Sequence, residues 1–405
     1  MRLALVVQRY GEEISGGAEL HARLIAEHLS PRHDVTVLTT CASDYVTWDN
    51  ECPAGIDSVR GIPVYRFPVR RPRDPERFGR LQRRVFHRDH TPEEAAAWMD
   101  AQGPCTPRMI RWLDRHHHAF DYVIAFSYRY WTTFHALQVV AGDDAHPGKG
   151  ILVPTAEPDP AIELPLYRPM FRSLRAIMYN SPEEREMIRR WTGVGDVPGV
   201  VVGVGIIEPP DASASRFRAD RRIDDPFLLY VGRIDRNKGC GQLFEFYRRA
   251  HRRLRADGLR PPRLLLAGSP VMEIPEHPDI VHLGWVSEQE KYDALAAAHA
   301  LIMPSFYESL SMVLLEAWCL GRPTLVNAHC DVLEGQARRS GGGLWYRDGM
   351  EFTECLRLLV SDARLRESLG ANGHVYYREH YTWPVIEAKY EDMLERLAQE
   401  DRATE

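Results

Sequence analysis

Short apolar runs rich in β-branched residues alternate with longer amphipathic segments along this 405-residue chain. In the first half, RLALVVQ is followed by AELHARLIAEHL and HDVTVLTT, and later by DYVIAFS, GKGILVPT and AIMYNS. A second series, from FLLYVGR to GGLWY, starts after Pro226. Strands that alternate with helices are typical of parallel sheets with crossover helices. The sequence therefore predicts two α/β units.

The segment between the two series, around residue 210, is rich in Pro, Ser, Ala and charged residues. It lacks hydrophobic periodicity, as an interdomain linker does. The end of the chain is different, because its apolar residues recur at helical spacing and predict an amphipathic helix that needs a surface to lie on. We therefore expect an N-terminal domain over 1–209, a linker over 210–225, a C-terminal domain over 226–382 and a final helix within 383–405.

Composition and charge exclude several classes of protein. With 44% hydrophobic and 27% charged residues the chain is typical of globular proteins, and its net charge of −6 implies no nucleic-acid partner. The apolar runs have strand length, well short of the roughly 20 residues that span a bilayer. MRLALVVQRYG predicts a first strand rather than a signal peptide, so we expect a cytoplasmic protein. The seven cysteines are scattered and never form CxxC, which predicts reduced thiols and no zinc site.

Two glutamates interrupt the otherwise apolar segment PSFYESLSMVLLEAWCLGRP, residues 304–323. We expect a strand to end before it and a helix to begin after Ser309 or Ser311. Glu316 is the only charge in that helix, and an unpaired buried carboxylate is costly, so it needs a protein cation, a helix terminus or ligand hydroxyls as a partner. Glu308 follows the strand, where α/β sheets bind ligands, although a charged capping residue is the alternative.

Two further turns carry groups suited to a diphosphate. In YVGRIDRNKG a strand leads into a loop with Arg233, which can fork to two oxygens, and Lys238, which adds a point charge. A solvated basic turn is the alternative. After the first strand, Gly16 and Gly17 precede a helix, so the backbone can approach a phosphate or sugar closely, although a flexible turn explains the pair equally well. Neither the loop with this glycine pair nor VVGVG gives GxGxxG between a strand and a helix, which disfavours a nicotinamide or flavin enzyme.

Together the glycine pair, GRIDRNKG and E-x(7)-E before GRP resemble the retaining family-4 glycosyltransferases of GT-B fold, over nearly the whole chain. The resemblance implies two Rossmann-like domains facing each other across a cleft, with the last helix crossing back to the first domain. It implies that Arg233 and Lys238 hold the donor diphosphate and stabilise the leaving group. Glu308 would contact the sugar hydroxyls, and Glu316 the ribose hydroxyls. The other implied donor contacts are Gly16 and Gly17 at the diphosphate and sugar, the backbone groups of Ser309, Leu310, Ser311 and Met312, and Gly268, Ser269, Leu283 and Trp285 near the nucleobase.

The implied reaction moves a sugar, with retention, from a nucleotide-diphosphate sugar to a hydroxyl of a glycan, lipid-linked or small-molecule acceptor. UDP is the favoured nucleotide and GDP the second. We expect no cofactor, and no metal, because two cationic side chains balance the leaving diphosphate and the only GDD, at 142–144, is in a polar loop. The alternatives are another GT-B enzyme, such as a nucleotide-sugar epimerase or phosphorylase, and a two-lobed sugar-binding protein.

The chain departs from the family pattern in VPTAEPDP, where Glu157 occupies the position of a common histidine. We count Glu157 as a catalytic candidate that binds a hydroxyl or accepts a proton, with a structural loop residue as the alternative. FSYRYWTT offers Tyr128, Arg129 or Tyr130 to the acceptor side, although aromatic packing explains it as well. The stretch 69–90 holds eight arginines against three acids, which suits an anionic acceptor, peripheral membrane contact or a solvated helix.

Overall fold

The computed structural model describes residues 1–14, 16–142 and 148–404; Asp143 and Asp144 of the GDD loop lie outside these ranges. The chain divides into two compact units. Unit 1 consists of Met1–Val204 and Ile386–Glu405, and unit 2 of Gly205–Val385. No helix in the described ranges is long and apolar enough to cross a membrane.

The described residues of unit 1 form a sheet of eight strands surrounded by helices. Its strands are β1 (Arg2–Val6), β2 (Asp34–Thr40), β3 (Gly55–Val59), β4 (Ile62–Phe67), β5 (Tyr122–Phe126), β6 (Gly150–Val153), β7 (Ala176–Tyr179) and β8 (Gly199–Val201). Its helices are α1 (Gly17–Leu29), α2 (Pro75–His87), α3 (Pro92–Gln102), α4 (Pro107–His116), α5 (Trp131–Val139), α6 (Tyr167–Arg172) and α7 (Pro182–Thr192), with short 3-10 turns at His117–Ala119 and Pro160–Glu163.

The order of strands in this sheet is β3-β4-β2-β1-β5-β6-β7-β8, and only the β3-β4 hairpin is antiparallel. The central strands are buried on both faces, which is why they appear in the sequence as continuous apolar runs. Strand order reverses between β1 and β5, so their following turns lie at the topological switch point, where open α/β sheets bind ligands.

Unit 2 has a second sheet, with six parallel strands among its described residues. The strands are β9 (Phe227–Val231), β10 (Arg263–Ala267), β11 (Ile280–Gly284), β12 (Ala300–Met303), β13 (Thr324–Asn327) and β14 (Gly343–Tyr346). The helices are α8 (Ala214–Arg221), α9 (Cys240–Ala256), α10 (Glu288–Ala297), α11 (Met312–Cys319), α12 (Asp331–Ser340), α13 (Gly349–Ser361) and α14 (Ala363–His380). The order is β11-β10-β9-β12-β13-β14, so the switch point of this sheet lies between β9 and β12.

The segment 210–225, which the sequence suggested as a linker, contains α8. This helix packs on α10, where the Nε of Arg216 lies 2.6 Å from a carboxylate oxygen of Asp293, and it buries Phe217, whose ring contacts Phe227 of β9. Its single apolar anchor among charged residues is too little to give a helical periodicity, which is why the sequence pattern indicated irregular chain.

The chain ends in α15 (Trp383–Thr404), which confirms the predicted terminal helix. From Ile386 onward it belongs to unit 1, as the expected return to the first domain requires. Its apolar side chains are buried there, and polar contacts fix its register. The Nδ1 of His28 lies 2.7 Å from Glu387, and the hydroxyl of Tyr122 donates to Asp401 at 2.6 Å.

Candidate active site

The turns after β9 and β12 lie side by side at the switch point of unit 2. The first turn carries Arg233 and Lys238, and the second carries Glu308. Gly239 closes the first turn with φ 75°, and a Cβ at this position would clash with the carbonyl oxygen of Pro304 in the second turn. Only glycine fits both this conformation and this close approach. The sequence motif K-G therefore sets the separation of the two turns.

An ion pair joins these turns. The Nζ of Lys238 lies 2.7 Å from Oε1 of Glu308. The two side chains keep 31% and 14% of their surface exposed, so the pair is partly desolvated yet open to a ligand. The structure thus brings together a predicted phosphate-binding cation and a predicted sugar-binding carboxylate.

Asp235 holds the basic turn in shape, and sequence reasoning missed it. Its Oδ2 lies 2.5 Å from Nε of Arg233, and its Oδ1 accepts the backbone N–H of Lys238 at 2.7 Å. The hydroxyl of Tyr230 donates to the carbonyl of Arg233 at 2.7 Å. The signal in the sequence was an acid placed between two cations in one short loop. Its carboxylate therefore holds the guanidinium of Arg233 and the backbone of Lys238.

Glu316 is buried inside α11, and its partner is a cation on α10. Its Oε1 accepts from Nζ of Lys291 at 2.9 Å, and Lys291 also contacts Glu288 at 2.8 Å. The Oε2 of Glu316 has no hydrogen-bond partner among the described residues. Burial raises the pKa of Glu316 above its ordinary value, and the positive charge of Lys291 opposes that shift. Burial alone would lower the pKa of Lys291, but the two neighbouring carboxylates raise it above its ordinary value.

The residues between Glu308 and α11 place backbone groups beside the ion pair. Ser311 is the N-cap residue of α11, within the range that the sequence predicted. Its N–H donates to the side chain of Gln336 at 3.3 Å, so this group is engaged within the protein. The other three candidates of this stretch, Ser309, Leu310 and Met312, lie at the same helix start.

The four candidates for the nucleobase lie at the carboxyl ends of two neighbouring strands, β10 and β11. The N–H of Gly268 donates to the carbonyl of Gly284 at 2.8 Å, and the carbonyl of Ser269 accepts from Ile234 at 3.0 Å. The first bond joins the turn after β10 to the end of β11, and the second joins it to the basic turn after β9. Trp285 leaves 79% of its surface exposed. The members of the set are Gly268, Ser269, Leu283 and Trp285, all at the carboxyl edge of the sheet.

In unit 1 the glycine pair lies beside a buried ion pair that sequence reasoning missed. Gly16 is the N-cap residue of α1, with φ 146°, and Gly17 is its first helical residue. A Cβ on Gly16 would clash with the carboxylate of Glu19. That carboxylate accepts from Nε of Arg9 at 2.9 Å and from Gln8 at 3.0 Å. The polar pair QR directly after a buried strand was the available signal.

Glu157 lies half-buried in the turn after β6. A second carboxylate forms a hydrogen bond with the backbone of that turn. Glu184, at the start of α7, is buried and accepts the backbone N–H of Ala156 at 2.6 Å and that of Asn180 at 2.5 Å. Burial raises the pKa of Glu184 to about 8, although both N–H bonds favour its ionised form. The loop that presents Glu157 therefore depends on a buried carboxyl group.

The candidates for the acceptor side are mostly packing residues in unit 1. Tyr128 is 2% exposed, and its ring packs against Tyr167. Tyr130 is 7% exposed and meets Trp48 edge to face. The Nη1 of Arg129 lies 2.5 Å from Asp159. The aromatic packing that the sequence left as an alternative describes these two tyrosines in this structure.

The arginine-rich stretch 69–90 forms α2 and the turn before it. Arg73 turns inward, with its guanidinium 4.7 Å from the ring centroid of Trp48 and its Nε donating to Gln102. Arg84 pairs with Glu94 on α3. Most of the remaining arginines are exposed, so the face keeps its positive charge.

A family model described as Glycosyl transferases group 1 matches residues 225–362. Over 221 residues the chain is 26% identical to the lipopolysaccharide core biosynthesis glycosyltransferase LpsE of Rhizobium meliloti (strain 1021), which covers 50% of this chain and 59% of that protein. The chain spans about half the length of the curated relatives it matches. The matched family segment contains Arg233, Lys238, Glu308 and Glu316.

Solved structures resemble the whole chain. Sucrose-phosphate synthase from Thermosynechococcus elongatus superposes with a TM-score of 0.70 at 16% identity, covering 98% of this chain and 99% of that one. HepE of Anabaena, in complex with UDP and glucose, gives 0.64 at 14% identity, with 98% and 100% covered. At these identities the likeness shows the fold, and it confirms the predicted GT-B class. Residues 225–362 therefore match the model described as Glycosyl transferases group 1, within a chain of GT-B fold.

Proposed function

We propose that this chain is a retaining glycosyltransferase that moves a sugar from a nucleotide-diphosphate sugar to a hydroxyl group of an acceptor, without a metal ion. One observation carries the proposal. Arg233, Lys238 and Glu308 occupy the two adjacent strand-end turns at the switch point of unit 2, inside the segment that matches the glycosyltransferase family. A UDP-sugar is the favoured donor, since HepE is in complex with UDP and glucose, and a GDP-sugar is second.

In this reaction Arg233 and Lys238 bind the diphosphate. Breaking the anomeric C–O bond builds positive charge on the sugar and negative charge on the departing phosphate oxygen. Fixed cations at that oxygen therefore stabilise the transition state more than the ground state. Asp235 pairs with the guanidinium of Arg233 and accepts a hydrogen bond from the backbone of Lys238. Because these contacts order the turn before the donor binds, they reduce the reorganisation that binding requires.

Glu308 binds the transferred sugar of the donor, and Glu316 binds the ribose of its nucleotide. The carboxylate of Glu308 has acceptor sites beyond the one used by Lys238, and these suit hydroxyls of the transferred sugar. The unpartnered Oε2 of Glu316 is buried, and a ribose hydroxyl would supply the missing hydrogen bond. Glu157, in unit 1, is assigned to a hydroxyl of the donor sugar or the acceptor.

Titration calorimetry with UDP, GDP and ADP in EDTA tests the nucleotide site. One nucleotide should bind the wild type, and Lys238→Ala should weaken it about tenfold or more, as expected for a lost charged contact. Arg253→Ala is the matched control, because it removes one positive charge from α9 outside the two turns. The proposal fails if no nucleotide binds the wild type.

A hydrolysis screen of nucleotide sugars without acceptor then identifies the donor, since slow release of free sugar marks the correct one. Once an acceptor is found, the coupling constant of the anomeric proton in the product reports the stereochemistry. An α-linked product from an α-linked donor supports retention. A β-linked product would exclude it.

A further inference from the structure

A cavity of about 510 Å³ lies against the outer face of α9 in unit 2. Four arginines line it, from the basic turn and from α9, together with two glutamates, so its charged side chains sum to +2. Its apolar lining is contributed by Phe244, Met272 and Pro275. The charged residues of the lining are Arg236, Glu245, Arg248, Arg249, Arg252 and Glu273.

The positive charge in this cavity is only half compensated by the carboxylates of its lining. Arg249 pairs with Glu245 one helical turn away, at 2.5 Å. Arg236, Arg248 and Arg252 form no ion pair with a described residue, and Glu273 is the one other carboxylate of the lining. Arg248 and Arg252 are also four positions apart on α9, a spacing at which like charges destabilise a helix slightly. Helix stability therefore does not account for this arrangement.

We propose that this cavity is a binding site for a phosphomonoester, separate from the donor turns and independent of the proposed function. Such a group carries between about −1.5 and −2 charges at neutral pH, which matches the net charge of the lining. Guanidinium groups present forked donors to phosphate oxygens, and a concave site with an excess of positive charge concentrates anions. The apolar residues suit the carbon skeleton that the ester carries.

The cavity adjoins the donor turn without sharing its groups. Arg236 lies between Arg233 and Lys238 in sequence, yet it lines the cavity, whereas those two residues make their contacts with Asp235 and Glu308. Loss of this site by mutation should therefore leave UDP binding unchanged. Binding of UDP therefore distinguishes two failures. If UDP binds but no phosphomonoester does, only the cavity proposal fails. If a phosphomonoester binds but no nucleotide does, only the glycosyltransferase assignment fails.

Two probes distinguish a soluble ester from a lipid headgroup. Calorimetry with glucose 6-phosphate tests the first, and co-sedimentation with phosphatidylcholine vesicles containing phosphatidic acid tests the second. Arg248→Ala/Arg252→Ala removes two uncompensated charges from the lining. Arg253→Ala/Arg255→Ala is the matched control on the same helix, because those arginines lie outside the lining and pair with Asp257 and Asp279.

We expect the wild type and the control to bind one of the two probes, and the first double variant to bind it about tenfold more weakly or not at all. If this variant loses binding of glucose 6-phosphate in calorimetry, the ligand is a soluble phosphomonoester. If it loses only binding to the phosphatidic acid vesicles, the ligand is a lipid headgroup. The proposal is overturned if neither probe binds the wild type, or if both double variants lose the same affinity, which would indicate an unspecific basic helix.

Discussion

Lys238 and Glu308 form an ion pair of 2.7 Å between the turns that follow β9 and β12. The cation that we assign to the donor phosphate is thus held by the carboxylate that we assign to the donor sugar. Because the two strands are neighbours at the switch point of the sheet, residues 70 positions apart in sequence meet in one place. A donor that binds here engages both charges at once.

The first prediction concerns Glu308→Gln. Glutamine keeps the shape and one acceptor oxygen but no longer neutralises Lys238, so binding of UDP should be unchanged or slightly tighter. Transfer of the sugar should fall, since the charged hydrogen bond to the sugar hydroxyls is lost. Calorimetry with UDP and a turnover assay with the identified donor measure the two effects. Weaker binding of UDP, in step with the loss of turnover, would contradict the separate roles of the two residues.

The second prediction concerns Asp235→Ala. Without this carboxylate, Arg233 and the backbone of Lys238 lose a shared anchor, so the affinity for UDP should fall several-fold although the variant removes a negative charge. Asp235→Asn should lie between the wild type and the alanine variant, because its amide oxygen still accepts one bond. If repulsion of the donor were the main effect of Asp235, the alanine variant would bind UDP more tightly than the wild type.

The third prediction concerns Lys291→Met, which leaves Glu316 buried without its cation. Breaking a buried ion pair from one side costs about 3–5 kcal/mol, so the free energy of unfolding of unit 2 should fall by that order. The double variant Lys291→Met/Glu316→Gln should recover most of the loss, because the uncompensated charge is removed. Urea unfolding followed by tryptophan fluorescence gives both values. Equal stability of the single variant and the wild type would show that the pair is not buried in solution.

The fourth prediction concerns the pH dependence of unit 1. Burial raises the pKa of Glu184 from 4.5 to about 8, so the folded chain holds this proton more tightly than the unfolded chain. Stability from this group is therefore complete below about pH 4.5 and is lost as the pH rises towards about 8. The loss amounts to about 1.4 kcal/mol for each unit of the shift.

Glu184→Gln carries no such proton, so its melting temperature should fall less than that of the wild type over the same pH range. Glu183→Gln is a matched control, because it changes the neighbouring glutamate, which is not buried. Identical pH profiles for the wild type and Glu184→Gln would show that the carboxyl group titrates at an ordinary pH.

The sequence predicted an element correctly where its local pattern is compatible with only one type of secondary structure. Continuous apolar runs predicted the central strands of both sheets, and the spacing in the last segment predicted α15. Residues that follow a strand were placed correctly for the same reason, since parallel strands bring their carboxyl ends to one edge. This put Arg233, Lys238 and Glu308 in one region before any distance was known.

Local sequence patterns did not predict ion pairs between residues that are far apart in the sequence. Lys291 lies 25 positions before Glu316, and nothing in α10 marks it as the partner. The two tyrosines of FSYRYWTT show the same limit, because whether an aromatic ring is buried depends on the elements that fold over it. An aromatic residue that is exposed in a turn and one that is buried in the core can have the same neighbours in the sequence.

The sequence alone determined the two α/β units, their central strands and the strand ends that carry the candidate site, since these follow from periodicity and from the geometry of parallel sheets. Only the tertiary structure decided that Glu316 meets Lys291, that Asp235 fixes the basic turn and that the arginines of α9 surround a cavity. These depend on how helices and turns pack across a sheet, which is set by many weak contacts between residues far apart in the chain.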